Sequence, residues 1–142
     1  DAYFGDLVID NASPTYPTFI STGSSQPIVV NGNFRINDAN AKLVSNSEPI
    51  SVKGNWTNNG VFDPGTGTVT FDGSGSSLLT GPSGGETFYN LTVDKTGTGL
   101  VNLGSNISVD GELDLSGTGA SGNSGGVEGG LDSDTYEIDL AP

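Results

Sequence analysis

The residues best suited to chemistry in this chain are carboxylates that alternate with apolar side chains towards its end. Asp110, Glu112 and Asp114 are interleaved with Val109, Leu113 and Leu115, and Glu137 and Asp139 with Tyr136, Ile138 and Leu140. In an extended strand successive side chains point to opposite faces. If the apolar residues turn inward, the acids project outward together. Two such strands side by side would bring Asp110, Glu112, Asp114, Glu137 and Asp139 into one strip, and oxygen-rich strips suit Ca2+. That strip is the metal site the sequence suggests, and no other cofactor is expected. A solvated acidic face is the simpler reading of the same five residues. The aspartate- and glycine-rich nonapeptide that binds calcium is absent, and so is an EF-hand loop.

Other chemistry is narrowly bounded. The chain has no His and no Cys, its only amines are Lys42, Lys53 and Lys95, and its only guanidinium is Arg35. A Ser–His–Asp or Cys–His device is therefore impossible, and acid–base work with a paired base has few candidates. No enzymatic activity is expected. The net charge is −13, most of it in the second half, which disfavours contact with nucleic acid and with anionic lipid surfaces. No apolar run approaches the length of a membrane span. Without Cys or Met there is little to oxidise, which suits an extracellular setting. The missing Met also suggests a processed protein or a piece of a longer one. Trp56 shares its parity with Ile50 and Val52, so it is expected to plug the core rather than stack on a sugar. Tyr3, Tyr16 and Tyr89 are less constrained and could meet carbohydrate. Thr66, Thr68 and Thr70 form a T-x-T-x-T run, but other segments lack matching threonines, so no ice-binding array is expected. Sequons at Asn11, Asn55, Asn90 and Asn106 are common by chance in such a composition; Asn31, Asn55, Asn59 and Asn90 are expected to bond the backbone locally at turns.

The elements that must position these residues are β-strands. Apolar periodicity is two rather than 3.6, and β-branched residues abound. Residues 28–36 read Ile-Val-Val-Asn-Gly-Asn-Phe-Arg-Ile, and residues 107–115 return the phrase as Ile-Ser-Val-Asp-Gly-Glu-Leu-Asp-Leu. Shorter forms lie at 50–56 and 69–73. A second match relates Phe4-Gly5-Asp6-Leu7-Val8-Ile9 to Phe88-Tyr89-Asn90-Leu91-Thr92-Val93, so residues 4–36 are related to 88–115. Each glycine keeps the parity of its apolar neighbours, as a bend within one continuous run would. The runs recur about every 20 residues, wider than the roughly 8–12 of a hairpin-built sandwich. The expected fold is all-β: one parallel β-solenoid over residues 1–142 with about six to seven coils and a Gly/Ser-rich loop at 116–130. Asn31-Gly32, Asn59-Gly60, Asp72-Gly73 and Asp110-Gly111 are also good hairpin dipeptides, so an antiparallel β-sandwich is the alternative.

A resemblance enters at Asn55-Trp56-Thr57-Asn58-Asn59-Gly60-Val61-Phe62, Gly65-Thr66-Gly67-Thr68-Val69-Thr70-Phe71-Asp72-Gly73 and Phe88-Tyr89-Asn90-Leu91-Thr92-Val93. These segments resemble the repeats of very large secreted, adhesin-like bacterial surface proteins. The resemblance covers residues 50–115 well, reaches 4–36 through the internal repeat and continues through 131–140; residues 11–27 and 116–130 depart from it. It implies a right-handed parallel β-helix, an extracellular location at the bacterial cell surface and a structural or adhesive role. No cap is evident at either end, so the expected partners are adjacent repeats of the same chain or further copies stacked end to end, with surface glycans as a further possibility. A self-assembling filament subunit and a calcium- or carbohydrate-binding β-domain are the alternatives.

Overall fold

The structure is a computed structural model describing residues 2–11, 18–20, 26–119 and 130–142, with only the backbone of 18–20. The described residues form eighteen short strands, three to a rung. They are β1 (Ala2–Phe4), β2 (Leu7–Ile9) and β3 (Thr18–Ile20); β4 (Ile28–Val30), β5 (Phe34–Ile36) and β6 (Lys42–Val44); β7 (Ile50–Val52), β8 (Trp56–Asn58) and β9 (Val61–Asp63). The second half continues with β10 (Thr68–Gly73), β11 (Ser77–Thr80) and β12 (Glu86–Phe88); β13 (Asn90–Lys95), β14 (Val101–Leu103) and β15 (Ile107–Val109); β16 (Leu113–Asp114), β17 (Leu131–Asp132) and β18 (Ile138–Leu140). First strands of each rung stack as one six-stranded sheet, and second strands as another. Third strands form two separate sheets of three, β3-β6-β9 and β12-β15-β18.

Every strand pair among the described residues is parallel. That excludes the antiparallel sandwich and makes the protein a parallel β-solenoid. Of its six rungs the four inner ones make about four well-packed turns, slightly fewer than the six to seven coils expected. The shortfall lies at the outer rungs. β16 and β17 have two residues each, and Leu7, Ile9, Leu113, Leu115 and Ile138 are only partly buried, whereas the four inner rungs hold nearly all of the core. Much of the expected loop at 116–130 lies outside the described residues.

Inward positions stack in columns. Ile28, Ile50, Val69, Leu91 and Leu113 are successive partners on the first sheet. Leu7, Phe34, Trp56, Leu79 and Leu103 do the same on the second. Phe34 and Trp56 stack with ring centroids 4.0 Å apart and an 18° interplanar angle, and Trp56 also meets Phe62, Phe71 and Phe88 edge-on. Trp56 is fully buried, the core plug its parity implied. Each full burial of a Val, Leu, Ile or Phe contributes about 1.5–3 kcal/mol. One rung cannot bury its own inner face, so stability comes from the stack.

The corners are held by a second set of columns. At the first corner Gly32 N donates to Gly5 O at 2.6 Å and Gly54 N to Gly32 O at 2.9 Å. Beside them Asn33 N donates to Asp6 Oδ1, Asn55 N to Asn33 Oδ1 and Leu78 N to Asn55 Oδ1, at 2.7, 3.0 and 2.9 Å. A Cβ on Gly32 would collide with the Asp6 carboxylate and the Gly5 carbonyl. Glycine is required there because the neighbouring turn approaches so closely. The asparagine bonds thus reach the adjacent turn instead of closing a local turn, because stacking places an Asx oxygen directly under the next backbone N–H. Asn31 Oδ1 likewise accepts from Lys53 Nζ, 2.9 Å away on the next turn.

The internal repeat is displaced around the solenoid. Residues 28–36 run from the first sheet to the second, whereas 107–115 run from the third face back to the first. The same device reappears at that corner: Gly111 N donates to Tyr89 O at 2.7 Å and Glu112 N to Asn90 Oδ1 at 2.8 Å. The repeated phrase encodes a corner, and either corner accepts it.

Candidate functional site

The five carboxylates of the suggested calcium strip are divided between two faces. Glu137 and Asp139 lie on the third face, where Asp139 is in register with Ser108. Asp114 lies on the first sheet, opposite Thr92. Asp110 and Glu112 occupy the corner between these faces, and both are exposed. Among the described residues no group of three or more His, Cys, Asp or Glu side chains is close enough to hold a metal ion.

Among the described residues a shaped surface lies on the third face and its leading corner. β12, β15 and β18 place Thr87, Ser108 and Asp139 in one outward row. The preceding outward row is Gly85, Asn106 and Glu137, where Glu137 N donates to Asn106 Oδ1 at 3.1 Å. A shallow cavity of about 190 Å³ opens over these rows. A neighbouring cavity of about 290 Å³ shares Gly85 and Asn106 with it and continues round the corner to Pro82, Ser105 and Tyr136. Gly81 N donates to Ser105 Oγ at 2.8 Å, which ties the two corner loops together. Gly85 has φ +96°, a conformation L side chains rarely adopt, and a Cβ there would press on the Asn106 carbonyl. Tyr136 is 38 % exposed.

Among the described residues Glu48, Glu86 and Lys95 are the buried ionisable side chains, and sequence reasoning missed all three. Glu86 is buried beneath the third face. Trp56 Nε1 donates to its Oε2 at 2.8 Å, while Asn58 Nδ2 and Thr87 N donate to its Oε1 at 3.2 and 3.3 Å. Burial pushes the Glu86 carboxyl up to about 7 despite these three donors, which pull the other way. Glu86 sits where the third face is broken, since β9 and β12 belong to different sheets. Residue parity sets Thr87 N towards that break, and the Glu86 carboxylate takes the place of the missing strand partner. Lys95 is fully buried. Its Nζ donates to Ser77 Oγ, Asp72 O and Lys53 O at 2.7, 2.8 and 3.1 Å. Burial lowers its pKa, and the negative charge of Asp72 opposes that shift. The missed signal was parity itself: Glu86 shares the inward phase of Phe88, and Lys95 that of Leu91 and Val93.

The remaining candidates are scattered. Tyr3 is exposed on the first rung and Tyr89 is half-buried at a corner, while Tyr16 lies outside the described residues. Thr68 and Thr70 face outward on β10, but Thr66 precedes the strand. No family model, no curated protein and no solved structure matches this chain.

Proposed function

We propose that this chain is a structural, adhesin-like module of an extracellular bacterial surface protein or fibre, a stiff solenoid segment without catalytic activity. The observation that carries this reading is the continuity of like-on-like columns, apolar within and Asx-glycine at the corners, through successive turns. Such a stack resists bending because any tilt breaks hydrogen bonds on every face together. The resemblance of residues 50–115 to repeats of large secreted surface proteins supplies the location. Antibodies raised against the purified chain should label intact source cells; label that enters only after permeabilisation overturns the proposal.

A second reading is favoured by the outermost strands. Among the described residues β1 and β16, the two ends of the first sheet, each pair on one side only. Open edges accept a further strand, so a head-to-tail filament of copies is the alternative. Electron microscopy of the concentrated chain separates the two: discrete particles support the module, and fibres support the filament.

A further inference from the structure

We propose that the linked cavities over the third face bind a saccharide, of neutral or amino-sugar chemistry and not an acidic one. The wall chemistry carries this. Thr87 and Ser108 offer hydroxyls that both donate and accept, Glu137 and Asp139 offer acceptors alone, and Asn106 keeps its amide N–H donors because its Oδ1 is occupied by Glu137 N. Sugar hydroxyls need that mixture, since each donates one hydrogen bond and accepts others. Tyr136, exposed on the adjoining wall, supplies an aromatic face of the kind on which the C–H side of a sugar ring packs. Gly84 lines the first hollow and has open space where a Cβ would stand, so a ring can approach the backbone there. The two cavities together reach the roughly 300–1,000 Å³ typical of ligand sites.

Charge sets the class of sugar. No Lys or Arg lines either cavity, and the chain carries −13 overall. Uronates and sialylated glycans would be repelled, while neutral hexoses and free amino sugars would not. A lysine-rich peptide is the competing occupant on charge alone. An ammonium group only donates, so it would leave the Asn106 amide N–H donors without an acceptor.

The site is independent of the surface-module reading, which stands or falls on cell labelling. The test is a printed glycan array carrying neutral hexose oligosaccharides, glucosamine oligomers, oligouronates and sialylated glycans, with a lysine-rich peptide spotted alongside. The purified chain should be retained by neutral or amino-sugar spots. Tyr136→Ala, and Glu137→Gln combined with Asp139→Asn, should each weaken retention about tenfold. Tyr3→Ala, at the far end of the first sheet, should not. All variants should keep the parent melting temperature, because the altered side chains are exposed. No retention, retention confined to acidic glycans or to the peptide, or retention that survives both site variants would overturn the proposal.

Discussion

Two of the buried ionisable side chains, Lys95 and Glu86, have opposite surroundings. Lys95 lies beneath continuous sheets, with three oxygen acceptors from three stretches of chain and the Asp72 carboxylate near enough to favour its charge. Glu86 lies at the break in the third face, with three donors and no cation among its hydrogen-bond partners. Both are hydrogen-bonded, as buried polar groups must be. Only Lys95 has a counter-charge. Hydrogen bonds satisfy a buried ion's geometry without cancelling its desolvation, so Glu86 is the weak point and Lys95 the staple.

The comparison breaks most visibly if an ion is buried with neither donors nor counter-charge. Val109 is fully buried, and Val109→Asp should cost about 4 kcal/mol or more. A urea midpoint close to the parent's would mean that the inward parity is wrong. Lys95→Ala comes next, because it leaves the acceptors of Lys53, Asp72 and Ser77 short of a donor and removes a buried stem. The expected loss is about 3 kcal/mol; a loss below that of Lys42→Ala, at a half-buried lysine paired with Asp63 on the surface, would refute the staple.

Glu86 gives the third prediction, a dependence on pH. Its folded pKa of about 7 lies above the ordinary 4.5. Between those values the unfolded chain has released the proton and the folded chain keeps it. The group's stabilising contribution is therefore full below about pH 4.5 and is lost as pH rises through 7, by roughly 3 kcal/mol across the window. Glu86→Gln should remove this slope relative to the parent. Trp56, the only tryptophan, reports the ionisation directly, because its Nε1 donates to the Glu86 carboxyl. A parent fluorescence titration flat between pH 5 and 8 would contradict the assignment.

Smaller effects test the corners. Asn33→Ala deletes the acceptor for Asn55 N and should cost about 1 kcal/mol. Asp110→Ser, at an exposed corner, should change stability by less than about 0.5 kcal/mol. Equal melting shifts from these two variants would show that the Asx column does not hold the turns in register.

Much of the fold was legible. Parity placed Val30, Phe34, Ile36, Val52, Trp56 and Val109 inward, and all are buried. The glycine that keeps parity in each phrase correctly pointed to a bend in a continuous coil, against the hairpin that Asn31-Gly32 also permits. The candidate site was much less legible. Glu137 and Asp139 were singled out as calcium ligands beside Asp110, Glu112 and Asp114, yet the chain turns a corner between Asp110 and Leu113 and carries Asp114 to another face. No local pattern marks which corner a glycine phrase will occupy. The inward phases of Glu86 and Lys95 were readable, but their partners were not, because all except the adjacent Thr87 N lie 18 to 42 residues away in the chain.

By itself the sequence determined the alternation of strands, the bends, the absence of histidine and thiol side chains and the net negative charge. Those properties are written residue by residue, in side-chain type and period. Only the tertiary structure decided which rungs are closed, where the third face breaks, and which polar groups share a wall or a buried hydrogen bond. Each of those depends on the exact length of chain between corners. A few residues more or less per turn rotate every later side chain onto a different face, and no single phrase records that sum.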